Sequence, residues 1–200
     1  MRVMVPAIVL AAGASSRMGR SKGLLPCGDS GLTFVASVLR ALRVGGVDDV
    51  IVVGRAGDDA LRVEVETHGG RLVENPRPDD GQLSSLVAGL NVADHPGVRG
   101  VLVTPVDVPM IAGPTVAALL GAFNTASAPI VRAVHRGRHG HPVIFSRTVF
   151  GDLRRADPSV GARAVVHAHG AAVIDVEVAD SAILVDVDTP EDYERLFGKR

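Results

Sequence analysis

A mostly parallel α/β sandwich is predicted by two observations. Short apolar runs alternate with helix-period segments as far as Phe123, and no repeat or low-complexity linker interrupts them. Parallel strands joined by helices imply right-handed crossovers, with ligands outside the carboxyl ends of the strands. The 200 residues, 46% hydrophobic and 22% charged, suffice to bury a core in one domain spanning 1–200.

Val5–Ala11 is an apolar run broken only by Pro6, the pattern of a buried strand. It leads directly into a glycine-bearing loop without a small-residue cleavage pattern, so it reads as a strand rather than a signal peptide. From Leu32, apolar residues at Val35, Val38, Leu39 and Leu42 mark one helix face. Val50–Val53 is a second strand, Ala60–Val65 a mixed helical stretch and Gly70–Val73 a third strand. Leu83, Leu86, Val87 and Leu90 give the next helix its apolar side; Val101–Val103 is the fourth strand and Val116–Phe123 the helix after it. Pro129–His135 and His141–Phe145 read as paired strands across the polar turn 136–139, forming a wall beside the main sheet. Two further apolar runs, Ala171–Val178 and Ile183–Val187, precede a terminal helix capped by Thr189 with Pro190 in its first turn.

Charge and composition narrow the function. Net charge is −1, and five Phe, one Tyr and no Trp leave no basic stripe with interleaved aromatics, so nucleic acid is not an expected partner. No apolar run approaches the roughly 20 residues of a membrane span. The lone Cys27 can form no internal disulfide, which fits a reducing cytoplasm. An enzyme or small-molecule binder remains. Of 21 basic residues only Lys22 and Lys199 are lysines.

The segment from Leu10 to Pro26 is far longer than the roughly 2–6 residues of an ordinary strand-to-helix loop. Ala11, Ala12 and Gly13 let backbone N–H groups approach phosphate oxygens; Ser15 and Ser16 add hydroxyl donors. Arg17 offers a planar fork and Lys22 a point charge. Neither the G-x-G-x-x-G dinucleotide fingerprint nor the G-x-x-x-x-G-K-[ST] P-loop is present. After the third strand, a Pro-rich turn from Asn75 ends in Gly81-Gln82-Leu83-Ser84-Ser85 and aims a helix N-terminus at the site. After the fourth strand, Asp107 stands between Pro105 and Pro109, where a carboxylate can hold Mg²⁺ beside substrate phosphates. Asp186 and Asp188 share a strand face, and either can supply a second metal ligand; Asp188 is preferred. His135, His139 and His141 lack a cysteine or spaced acidic partner, which argues against zinc.

Leu10, Ala11, Ala12, Gly13, Ser15, Arg17, Met18, Gly19 and Lys22 match the L-A-A-G-x-S-x-R-M-G-x-x-K signature, and the chain resembles the molybdenum-cofactor nucleotidyltransferases, the MobA-like NTP transferases. Thr104–Pro109 and Asn75–Leu86 are similar to that family's metal and base segments. Gly140-His141-Pro142 resembles an acceptor-pocket element of its cytidylyl-transferring branch. Gly161 and Arg163 correspond to a G-D-x-G-A-R turn, with Ala156 in place of the glycine and one extra residue after Asp157.

The resemblance implies a Rossmann-like three-layer sandwich of the nucleotide-diphospho-sugar transferase type. It implies transfer of a nucleoside monophosphate, with release of pyrophosphate, to a phosphorylated pterin acceptor, and leaves room for a molybdoenzyme partner. Arg17, Lys22 and Asp107 would be catalytic. Leu10–Gly13, Ser15, Ser16, Asn75, Gly81, Gln82 and Ser85 would bind nucleotide, and Asp107 and Asp188 would hold Mg²⁺. His141, Pro142, Gly161 and Arg163 would meet the acceptor. Ala12 is similar to the cytidylyl-transferring members and favours CTP. A guanylyltransferase, another cytidylyltransferase of this fold and a non-catalytic accessory protein for cofactor delivery are the alternatives.

Overall fold

The computed structural model describes residues 4–13 and 21–198. The sheet has seven strands: β1 (Ala7–Leu10), β2 (Val50–Arg55), β3 (Arg71–Asn75), β4 (Gly100–Pro105), β5 (Ile130–His135), β6 (Arg138–Ser146) and β7 (Val173–Glu177), in the order β3-β2-β1-β4-β6-β5-β7. β6 runs antiparallel to β4 and β5, while the other pairs are parallel. The helices are α1 (Phe34–Val44), α2 (Asp59–Thr67), α3 (Gln82–Ala93), α4 (Gly113–Thr125), α5 (Phe150–Arg155), α6 (Arg163–Ala168) and α7 (Pro190–Phe197).

Alternation along each strand divides the core into two layers. Ala7, Val9, Val50, Val52, Leu102 and Ile144 pack with α1, α2 and α4 through residues such as Phe34, Leu39, Leu61 and Leu119. Ile8, Leu10, Ile51, Val53, Val101, Val143 and Phe145 face the other way, against Leu83, Leu86 and Leu90 of α3 and Phe150 and Leu153 of α5. The result is the expected three-layer sandwich. α1 begins at Phe34 rather than Leu32 because Thr33 caps it, accepting from the Ala36 N–H at 3.2 Å.

The second half departs from the expected wall. β6 pairs with the free edge of β4, from Gly100 against Ser146 to Val103 against Val143, so the later strands extend the sheet. The physical reason is that Val143, Ile144 and Phe145 are apolar on both faces, which requires cover from both helix layers. The β5–β6 turn needs just Arg136 (φ 50°) and Gly137 (φ 74°), both left-handed as a tight hairpin demands, so β6 starts earlier than the apolar run suggests. The run Ile183–Val187 forms no strand. Ser181–Leu184 is a 3₁₀ turn, capped by the Asp180 side chain, and the Val187 N–H then donates to the Asp107 carbonyl at 2.9 Å. α5 and α6, six residues each, are too short for a helical period to be legible. Among the described residues, no helix is long and apolar enough to cross a membrane.

Candidate active site

β1 and β4 lie side by side at the centre of the sheet, and the chain leaves their carboxyl ends in different directions. A crevice at such a divergence is where open α/β sheets bind ligands. Here it holds a cavity of about 480 Å³ lined by Leu10, Ala11, Ala12 and Gly13 after β1, by Gly81, Gln82 and Ser85 at the start of α3, and by Lys22, Asp107 and Asp188. Hydrogen bonds lock its floor: Ala11 N–H to the Val53 carbonyl at 2.8 Å and Val106 N–H to the Leu10 carbonyl at 3.0 Å.

Three charged side chains meet at one wall. Lys22 opens a 3₁₀ turn, Lys22–Leu24, whose Gly23 is buried and packs tightly on Leu61. Its Nζ lies 2.6 Å from Asp188 Oδ1 and 3.3 Å from Asp107 Oδ2. Burial pushes the Asp107 carboxyl above the usual carboxylate range, and the Lys22 ammonium pulls it partly back. Asp186 is also raised, first by burial and then by the neighbouring Asp188 charge. Asp188 lines the smaller cavity and Asp186 the larger one beside it.

Because Asp107 and Asp188 reach one ammonium, they converge on one point. Two carboxylates there suit a hard divalent cation that completes its shell with phosphate oxygens and water. Among the described residues, no group of three or more His, Cys, Asp or Glu side chains is placed to hold a metal ion.

The loop between β3 and α3 is organised from inside. Asn75 is buried; its Nδ2 donates to Ser84 Oγ at 2.8 Å and Ser85 Oγ at 3.0 Å, and its Oδ1 accepts from the Arg77 N–H. Its amide is spent on shaping the loop, while Gly81, Gln82 and Ser85 face the cavity. Gly81 has φ +87°, a turn that L side chains rarely adopt, and it starts α3 at the cavity wall.

A second cavity, about 930 Å³, shares Leu10 and Gln82 with the first and runs between α3, β6 and α6. His141, Gly161 and Arg163 line it, as do apolar Leu83, Leu86, Val143 and Phe145. Pro142 is buried beneath, outside the lining. The His141 ring is kept below the ordinary histidine range by burial, and its buried Nδ1 has no hydrogen-bond partner among the described residues. Gly140 is required next to it: a Cβ there would lie 2.2 Å from the Ile183 carbonyl oxygen.

Ser15, Ser16 and Arg17, together with Met18 and Gly19, lie outside the described residues. Five residues lining the smaller cavity fall outside the set expected from the sequence: Arg55, Pro78, Asp79, Pro105 and Val106. Arg55 closes β2, and no motif in the sequence marks that strand end. The Pro-rich turn after Asn75 is the available signal for Pro78 and Asp79, and the segment Thr104–Pro109 for Pro105 and Val106.

Residues 7–173 match the MobA-like NTP transferase domain. The nicotine blue oxidoreductase of Paenarthrobacter nicotinovorans is 31% identical, covering 96% of each chain. The molybdenum cofactor guanylyltransferase of Xanthomonas euvesicatoria pv. vesicatoria is 29% identical over 95% of this chain and 93% of its own. The molybdenum cofactor cytidylyltransferase of Escherichia coli K12 is 24% identical over 94% and 93%. Among solved structures, Rv0371c of Mycobacterium tuberculosis H37Rv superposes with a TM-score of 0.81 at 30% identity, covering 98% of this chain and 100% of its own. It has also been solved in complex with manganese. Signature, sheet order and cavity agree with these matches: the chain belongs to the MobA-like NTP transferase domain family, as a nucleotidyltransferase.

Proposed function

We propose that this chain transfers CMP from CTP to the terminal phosphate of a molybdopterin-type acceptor and releases pyrophosphate. The observation that carries the reading is the meeting of Lys22, Asp107 and Asp188 in the smaller cavity, which shares Leu10 and Gln82 with the larger one. The smaller cavity takes the nucleotide, with its triphosphate over Ala11–Gly13 and its base toward Gly81, Gln82 and Ser85. Asn75 acts through that loop. The larger cavity takes the acceptor: its apolar wall suits a planar ring, Arg163 suits an anionic group, and the unpartnered His141 Nδ1 suits a polar group on the ring.

Two polyanions must be brought together, so catalysis is positioning plus charge neutralisation. An acceptor phosphate oxygen forms a new bond to the α-phosphorus in line with the bond to the bridging oxygen. That bond breaks, and pyrophosphate leaves with its electron pair. The Lys22 ammonium, with Arg17, offsets charge on the attacked phosphoryl group and its leaving partner. Asp107 and Asp188 would hold the divalent ion, Mg²⁺ in this proposal; when bound it supplies positive charge to the phosphate oxygens. No covalent protein intermediate is required. We further propose that residues 1–200 work as one domain in the cytoplasm, with a molybdoenzyme as the downstream partner.

Ala12 in the cavity lining supports CTP, and the guanylyltransferase relatives make GTP the alternative. A second reading, redox turnover, rests on the similarity to nicotine blue oxidoreductase. A melting-temperature panel with CTP, GTP, ATP and UTP, each with and without Mg²⁺, separates the nucleotides. Ligand at about 100 times its Kd adds roughly 2.7 kcal/mol, or about 5–10 °C for a chain of this size. A Mg²⁺-dependent lead by CTP supports the proposal, and a lead by GTP replaces the donor. Pyrophosphate release on adding molybdopterin then distinguishes transfer from an accessory binding role, and turnover of nicotine blue without pyrophosphate would favour redox chemistry.

A further inference from the structure

Arg55 ends β2, which lies in the sheet between β1 and β3. Its guanidinium therefore sits between the loops that leave those two strands, and it holds both. Nε donates to the Ala12 carbonyl at 3.0 Å, in the loop after β1. An Nη2 donor reaches Asp79 Oδ1 at 2.6 Å, in the 3₁₀ turn Pro78–Asp80 of the loop after β3. Arg55, Ala12 and Asp79 all line the smaller cavity.

The arrangement makes little sense as a fold stabiliser. The Asp79 side chain is 84% exposed, and ion pairs with so wet a partner contribute little to stability. The contact does constrain geometry: a planar fork with fixed donor directions ties two otherwise separate loops to one rigid strand end. A nucleoside triphosphate lying across the cavity would touch both loops, its phosphates at Ala12 and Gly13 and its base at Gly81–Ser85. Loops held in their bound spacing lower the ordering cost of binding.

We infer that Arg55 is a positioning residue for the nucleotide, clipping the phosphate loop to the base loop so that both are preformed for one ligand. The inference rests on the reading of this cavity as the nucleoside triphosphate site.

The test uses the full chain and four variants: Arg55→Ala, Arg55→Lys, Asp79→Ala and the double variant Arg55→Ala with Asp79→Ala. Pyrophosphate release is followed while the nucleotide and the acceptor are varied in turn, and nucleotide-induced melting shifts are measured alongside. The expected result is a rise of about tenfold in KM for the nucleotide, with kcat within about twofold, in Arg55→Ala and Asp79→Ala. The double variant is expected to be no worse than either single one, since both remove the same clip. Acceptor KM and the melting temperature without nucleotide stay as in wild type, which a merely structural role would not allow.

Arg55→Lys keeps the charge but not the fork and is expected to behave like Arg55→Ala. Full recovery in Arg55→Lys would replace the clip by simple charge attraction and overturn the inference. Unchanged nucleotide KM, or a fall in kcat at unchanged KM, would overturn it as well while leaving the nucleotide site in place. A wild-type chain that binds none of the four nucleotides with Mg²⁺ would overturn the nucleotide site itself, and the clip with it.

Discussion

Lys22 Nζ and Asp188 Oδ1 lie 2.6 Å apart although 166 positions separate them in the chain. The ion pair joins the turn after the first loop to the entrance of the last helix. α7 sets the aspartate's position through its capping box: Thr189 Oγ1 accepts from the Asp192 N–H at 3.1 Å, while Asp192 Oδ2 accepts from the N–H groups of Thr189 and Asp188. From the same helix, the Tyr193 hydroxyl donates to the Pro26 carbonyl at 3.0 Å. The C-terminal segment thus closes over the segment that carries Lys22.

Lys22→Ala is expected to lower kcat/KM by about 100-fold or more, the usual scale for removing one charge-stabilising donor. It also leaves Asp107 and Asp188 facing each other without the ammonium between them. Added Mg²⁺ should therefore raise the melting temperature of Lys22→Ala by more than that of wild type. Equal shifts would show that the two carboxylates do not share the ion.

Asp107→Asn should lose activity and gain stability. Burial raises the Asp107 pKa in the fold. Such a group favours folding most below the ordinary aspartate pKa, and the contribution is lost as pH rises through the raised value. Where the group is ionised, the fold carries a half-buried carboxylate that Asn removes, and a gain of about 2–4 °C is expected for each kcal/mol recovered. The gain should shrink at acid pH; melting curves of both proteins across pH decide the point, and a constant difference would contradict it.

His141 carries the opposite sign. Burial lowers its pKa, so the unfolded chain takes up the proton before the folded one does. Stability is complete above the ordinary histidine pKa and is lost as pH falls through the depressed value. His141→Asn should flatten this loss between about pH 8 and about pH 5. The same variant should raise the acceptor KM more than the nucleotide KM, because His141 lines the larger cavity alone. Parallel melting curves for the two proteins would remove the histidine from the acid response.

Thr189→Ala breaks the capping box. A cost of about 1 kcal/mol is expected, or about 2–4 °C in melting temperature. Since Asp188 precedes the cap, the variant should also weaken Mg²⁺-dependent activity, and Thr189→Ser should restore both. Loss of stability with unaltered Mg²⁺ dependence would separate the cap from the site.

The first loop, the Asp107 turn and the alternation of strand and helix are legible in the sequence, because each depends on neighbours in sequence. Val9 and Ile8 announce their opposite layers by alternation alone, and Thr189 announces its helix by residue type and spacing. Lys22, Asp107, Gly81, Gln82 and Ser85 were legible as candidates for the same reason. Their convergence at one cavity was an expectation drawn from strand order and resemblance.

Other features depend on partners that sequence spacing does not reveal. Whether β6 begins a separate wall or extends the sheet depends on which edge it meets, and β4 offered a free one. Asp186 and Asp188 share residue type and spacing; packing of Val187 on Asp107 and the α7 cap set one toward each cavity. Asn75 has the side chain of a ligand group, but burial turns its amide inward to Ser84 and Ser85. Arg55 became a clip because β2 lies between β1 and β3. Local propensity and periodicity are properties of short segments and so survive in the sequence. Register, burial and the meeting of distant charges arise from the packing of the whole chain, and tertiary structure alone decides them.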